Sequence, residues 1–167
     1  MASWLAFDSI TPQVIPQGAF LLGYANGDFA TPRAQLAAHP RRAMIDVFGD
    51  AWSAASVLQV DGTPAEIAHL TGLAPEWCHN RNAFRPDTAT VYCNHSQLAA
   101  LEAAFRAAGD PDPWVILATL DGTACLDQVP GGWGRLAGVQ AWGADLLGFH
   151  ADATLIVSED WYRRHGG

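Results

Sequence analysis

Ser56-Val57-Leu58-Gln59-Val60-Asp61-Gly62 is the stretch from which the fold can be read. It is a short apolar run, partly β-branched, closed by a carboxylate and a glycine. Runs of this length that end in a turn signal form buried strands. In a parallel barrel such a strand delivers its last residues to the C-terminal mouth, where barrels keep their chemistry. Asp61 is therefore the first candidate functional residue, and the rest of the chain is read for elements that would stand beside it.

Working outward, Trp4–Asp8 predicts a first strand, stopped by Ser9-Ile10-Thr11-Pro12. Ala19–Tyr24 predicts a second, followed by the turn-like Ala25-Asn26-Gly27-Asp28. A short helix is expected over Arg33–Ala38, after Thr31-Pro32. Arg42–Phe48 is the third strand and Ala54–Val60 the fourth. Thr63, Pro64 and Glu66 form an N-terminal helix signature, so a helix is expected from Pro64 to Leu73, with a less structured Pro75–Pro86 after it. Thr88–Cys93 is the fifth strand. Leu98, Leu101, Phe105 and Ala108 share one helical face, Glu102 and Arg106 pair at i,i+4, and Gly109 ends that helix. Ser96 is its expected N-cap. Trp114–Ala118, Leu136–Ala141 and Ala153–Val157 are the sixth to eighth strands, and Glu159–Arg164 a closing helix.

Eight strands with a few helices between them imply a parallel α/β architecture. A complete eight-fold barrel runs to ~200 residues or more, and this chain has 167. The expected fold is a reduced, irregular (β/α)8 TIM-like barrel in which loops replace some helices, as one domain over 1–167. An open α/β sheet is the other architecture, without a Gly-rich phosphate loop to support nucleotide binding.

Half of the residues are hydrophobic and 16% are charged, which is the composition of a globular chain. The net charge of −8, with no block of Lys or Arg, argues against a nucleic-acid partner. No apolar run is long enough for membrane insertion. Met1-Ala2-Ser3-Trp4 lacks the basic and apolar regions of a signal peptide, so a cytoplasmic location is expected. Cys78, Cys93 and Cys125 are widely spaced and read as reduced, buried thiols. Seven tryptophans are read as core residues, with some free to line a sugar-binding cleft.

Carboxylates recur at or near strand ends: Asp8, Asp28, Asp46, Asp61, Asp121 and Asp152. Strands of a barrel converge on one mouth, and glycoside hydrolysis needs one carboxylic acid and a second group that attacks or stabilises the oxocarbenium-like centre. Clustered carboxylates raise one another's pKa and keep one of them protonated. Asp is equally at home in turns for structural reasons.

The ordered motifs Trp4-Leu5-Ala6-Phe7-Asp8-Ser9, Gly23-Tyr24, Val57-Leu58-Gln59-Val60-Asp61-Gly62, Thr90-Val91-Tyr92-Cys93-Asn94, Trp114-Val115-Ile116-Leu117-Ala118, Val139-Gln140-Ala141-Trp142 and Ala151-Asp152-Ala153-Thr154-Leu155-Ile156 span nearly the whole chain. The series resembles glycoside hydrolase family 25, and within it the small actinobacterial and actinophage glycoside-hydrolase-like branch. The resemblance implies a barrel with lysozyme (muramidase) activity on peptidoglycan. It also implies catalysis by an Asp on the first strand, an Asp-x-Glu pair ending the fourth and an Asp near the last. Asp8 and Asp152 match the first and last of these. Gln59-Val60-Asp61 stands where the family has Asp-x-Glu: Gln59 cannot ionise, and Asp61 is one methylene shorter than the expected acid. A misplacement of ~1 Å costs roughly 100-fold in rate.

Asp8, Asp61 and Asp152 are thus the catalytic candidates. Asp28, Gln59, Tyr92, Gln140 and Trp142 are the substrate-binding ones. Trp114 begins its strand and is expected in the core, far from the mouth. Cys78-His79 and Cys93-Asn94-His95 lack the Cys-x2–4-Cys spacing of a zinc site. Cys93, inside a strand, reads as an inert thiol and not as a nucleophile. No metal and no cofactor is assigned. Two readings stay open: a peptidoglycan-directed hydrolase such as a phage endolysin, reaching the wall on release from the infected host, or a non-catalytic barrel that binds cell-wall glycan or other virion proteins.

Overall fold

The computed structural model describes residues 4–9, 11–119, 133–144 and 151–166. Eight strands close into a barrel in chain order: β1 (Trp4–Asp8), β2 (Phe20–Tyr24), β3 (Arg42–Asp46), β4 (Val57–Gln59), β5 (Thr90–Asn94), β6 (Trp114–Ala118), β7 (Arg135–Ala144) and β8 (Ala151–Ile156). Among the described residues four helices accompany them: α1 (Arg33–Ala38), α2 (Pro64–Phe84), α3 (Leu98–Ala108) and α4 (Glu159–Arg164). The fold is the reduced, irregular barrel expected. Between β1 and β2 the helical content is the 3-10 turn Pro12–Val14, and β3 passes to β4 without a helix.

Strand direction departs from the expectation. β1 to β7 pair in parallel, but β8 is antiparallel to both β7 and β1. Residues 145–150 connect β7 to β8, fewer than the dozen or so a parallel crossover needs. The chain therefore turns back, and β8 enters the barrel at the mouth and runs away from it.

Alternation along the strands separates an interior apolar cluster from two on the outer face, the smaller of them around Phe7, Leu21 and Ala153. Ala6, Phe20, Leu22, Ala43, Ile45, Val57, Trp114 and Ile116 fill the barrel interior. Leu58, Val60, Val91, Cys93, Val115 and Leu117 face outward onto Leu70, Trp77, Leu101 and Phe105 of α2 and α3. The far end of the barrel is sealed by α4. Trp161 is fully buried and donates from Nε1 to Thr90 Oγ1 at 2.8 Å, and Tyr162 stacks on Trp4 with ring centroids 4.6 Å apart. Trp114 belongs to this end, as expected, with Arg135 over its ring at 4.1 Å.

Helix α2 begins at the expected capping box, in which Thr63 and Glu66 bond reciprocally. It does not stop at Leu73. It runs through Pro75 to Phe84, so the less structured segment expected over Pro75–Pro86 is largely helical. A proline inside a helix removes one intrahelical bond. Here Ala74, Pro75, Trp77 and Cys78 are buried against the barrel. Arg81 adds bonds from Nε to Thr88 Oγ1 at 3.0 Å and from a terminal nitrogen to the Trp52 carbonyl at 3.3 Å. Tertiary burial outweighs the lost bond. Ser96 is not the cap of α3: Asn94 caps the preceding 3-10 turn, accepting from the Ser96 amide at 3.0 Å, and Gln97 leads into α3 without a side-chain cap bond.

Candidate active site

The barrel mouth collects the ends of the parallel strands and the start of β8. Asp8 ends β1 and lies directly opposite Asp152 in the antiparallel β1–β8 register. Opposed residues of this kind hold their Cβ atoms ~4.5–5.5 Å apart. Asp152 reaches the mouth because β8 is reversed; a parallel β8 would carry it to the sealed end.

Asp8 is 5% exposed. Its Oδ2 accepts from Gln140 Nε2 at 3.1 Å, and its Oδ1 from the Tyr24 hydroxyl at 3.5 Å. The Tyr92 hydroxyl donates to Gln140 Oε1, so Tyr92, Gln140, Asp8 and Tyr24 form one chain of contacts across the mouth. Burial, reinforced by the Asp152 charge and opposed by the Tyr24 bond, lifts the Asp8 pKa to about 8. Burial also pushes both phenols above their ordinary range. Asp8, Asp152 and Asp61 add to the effect on Tyr24, and Asp8, Asp61, Tyr24 and Asp152 to that on Tyr92.

Asp61 lies just past β4, two residues beyond Gln59 and so on the same side of the pleat. It is exposed and lines a cavity of about 290 Å³ with Val47, Phe48, Gln59, Gly62, Glu66, His69 and Leu70. Gln59 pairs in register with Tyr92. The cavity has an apolar wall from the β3–β4 loop and α2, and a polar wall from the end of β4 and the first turns of α2.

The remaining candidates are distributed as follows. Asp28 is exposed in the turn after β2, outside the bonded set. Trp142 was expected to follow the seventh strand. It lies within β7, its side chain outside the described residues. Asp121 and Cys125 also lie outside them. Asp46 is a structural carboxylate. Fully buried, it accepts from the amides of Phe48, Gly49 and Ala51, from Asn26 Nδ2 at 2.8 Å and from Trp77 Nε1 at 2.8 Å. It shapes the loop that forms one cavity wall.

Cys78 and Cys93 are free and buried on the outer face of the barrel, and burial pushes the Cys93 thiol up to about 12. Among the described residues no group of three His, Cys, Asp or Glu side chains converges as metal ligands. Sequence reasoning missed the roles of Tyr24, Phe48, Glu66 and His69. Tyr24 has a periodicity signal, alternating with the core residues Phe20 and Leu22 up to the mouth. The others have none.

No family model matches the chain, and no curated protein matches it. Among solved structures the chain is similar to a muramidase from Acremonium alcalophilum, with a TM-score of 0.56 and 9% sequence identity over 98% of this chain and 100% of that one. At this identity the likeness is one of fold, the eight-stranded barrel.

Proposed function

We propose that this barrel is a peptidoglycan-directed glycoside hydrolase of the muramidase type. The carrying observation is Asp8 facing Asp152 in the β1–β8 register, with Asp61 two residues past the end of β4 at the same end of the barrel. The fold shared with a muramidase supports it, as does the motif series of glycoside hydrolase family 25. Asp61, exposed on the cavity, is the proton donor to the glycosidic oxygen. Asp152, half-buried at the rim, carries the negative charge that stabilises the oxocarbenium-like centre. Asp8 keeps its proton at neutral pH, which leaves the Asp8–Asp152 pair with a single charge. Gln59, Tyr92, Gln140 and Trp142 are the substrate-binding residues. The chain works as one domain and belongs to an actinobacterial or actinophage lysin that reaches the wall on release from the host cytosol.

The test is release of reducing sugar from purified actinobacterial peptidoglycan. Wild type should release it and Asp61→Asn should not; equal release by the two overturns the assignment. A second reading, a barrel that binds wall glycan or virion proteins without cleaving, is favoured by Gln59 in place of an acid and by the slight exposure of Asp8. Pelleting with cell walls in the absence of sugar release would select it.

A further inference from the structure

Phe48 is 59% exposed, yet the loop that carries it is fastened on both sides. The amides of Phe48 and Gly49 bond to Asp46 Oδ1 at 3.0 and 2.7 Å, and that of Ala51 to Asp46 Oδ2 at 2.6 Å. The Val47 amide donates to Asn26 Oδ1 at 2.9 Å, and Asn26 Nδ2 bridges Asp46 and Asp50 at 2.8 Å each. Gly49 has φ +77°, and a Cβ there would fall 2.2 Å from Leu73 Cδ2, so the loop is pressed onto α2. Gly27 has φ +79°, and its Cβ would fall 2.8 Å from Val47 Cγ2, so the loop after β2 closes on it from the other side. A large aromatic ring is thereby held in water on a backbone with little freedom.

That ring forms the apolar wall of the cavity beside Asp61, with Val47 and Leu70. Gln59, Asp61, Glu66 and His69 supply hydrogen-bonding groups to the same cavity. An aromatic face next to donors and acceptors matches a pyranose ring, which has a C–H face and a hydroxyl edge. The volume of about 290 Å³ sits at the lower end of ligand clefts, room for one ring and not a chain.

We propose that Phe48 is the stacking platform of a single-sugar subsite beside Asp61, with Asn26 and Asp46 as the positioning residues that hold it. The proposal rests on the carbohydrate reading of the mouth and names the group that grips the sugar. Because the loop is ordered in the fold, little ordering cost falls on binding.

The probe is the N-acetylglucosamine trisaccharide, titrated calorimetrically into Asp61→Asn protein so that no turnover intervenes. Adding Phe48→Ala should weaken binding about tenfold, and Phe48→Tyr should restore it. On solubilised peptidoglycan, Phe48→Ala should raise KM with kcat changed by less than about twofold, and Asn26→Ala should move KM the same way. Phe48 is exposed, so its truncation leaves the core intact. No trisaccharide binding, or binding and KM indifferent to Phe48, overturns the subsite even if wild type cleaves walls. Phe48-dependent binding without any cleavage keeps the subsite and removes the hydrolytic reading.

Discussion

Asp8 is where a single residue couples fold to chemistry. Its carboxyl ordinarily titrates near 3.8, and burial and the facing Asp152 raise it to about 8. Between those values the folded protein holds a proton that the unfolded chain has released. Stability therefore falls as pH rises across this window, and the contribution is complete only below about pH 4. Asp8→Asn should flatten the profile. From pH 5 to pH 8 wild type should lose on the order of 2–4 kcal/mol more than the variant in urea denaturation. Equal slopes would mean that Asp8 is ionised throughout. Asp46 shows the opposite use of a strand-end carboxylate, buried and saturated by donors instead of poised. Trp77→Phe removes its indole donor with little change of shape, and should cost about 2 kcal/mol by chemical denaturation.

At the scale of elements, α3 is the most local in origin. Its apolar face, its Glu102–Arg106 pair and its left-handed Gly109 cap, φ +70°, follow the chain's own periodicity. Nothing lies within 4 Å of a Cβ placed on Gly109. Gly109→Ala should therefore cost only the backbone term, about 1–2 kcal/mol, read as a drop in thermal midpoint. A much larger loss would show that the turn packs more tightly than this. Helix α2 is the contrary case. Local chemistry marks its start at Thr63, but its continuation past Pro75 depends on Trp77 finding Asp46 at the end of β3 and on Arg81 finding Trp52 in the β3–β4 loop and Thr88.

For the whole molecule, the outer face of β4 to β6 is one packed layer under α2 and α3. Cys78 and Cys93 lie in it, both nearly sealed from solvent. In a Cys125→Ser background, a thiol reagent should label neither until the barrel opens, and both together, at the rate of global unfolding. Labelling of Cys93 well before Cys78 would point to independent opening of β5. Closure of the barrel between β1 and β8 leaves one end sealed by α4 and sets Asp8 against Asp152 at the other.

Strand positions, the capping box at Thr63, the Gly109 stop and the placing of Asp8 and Asp61 at strand ends were legible in the chain itself, because alternation and capping are set by neighbours a few residues away. The reduced barrel followed from counting strands against length. What only the tertiary structure decided concerns partners far apart in sequence. Reversal of β8 sets Asp152 against Asp8; burial and that pairing, not spacing, give Asp8 its proton. Trp77 and Asn26 reach Asp46 and turn a candidate acid into a loop anchor. Phe48 became a cavity wall by the same fastening. Side-chain chemistry of this kind depends on what surrounds a group in space, and periodicity does not carry that information.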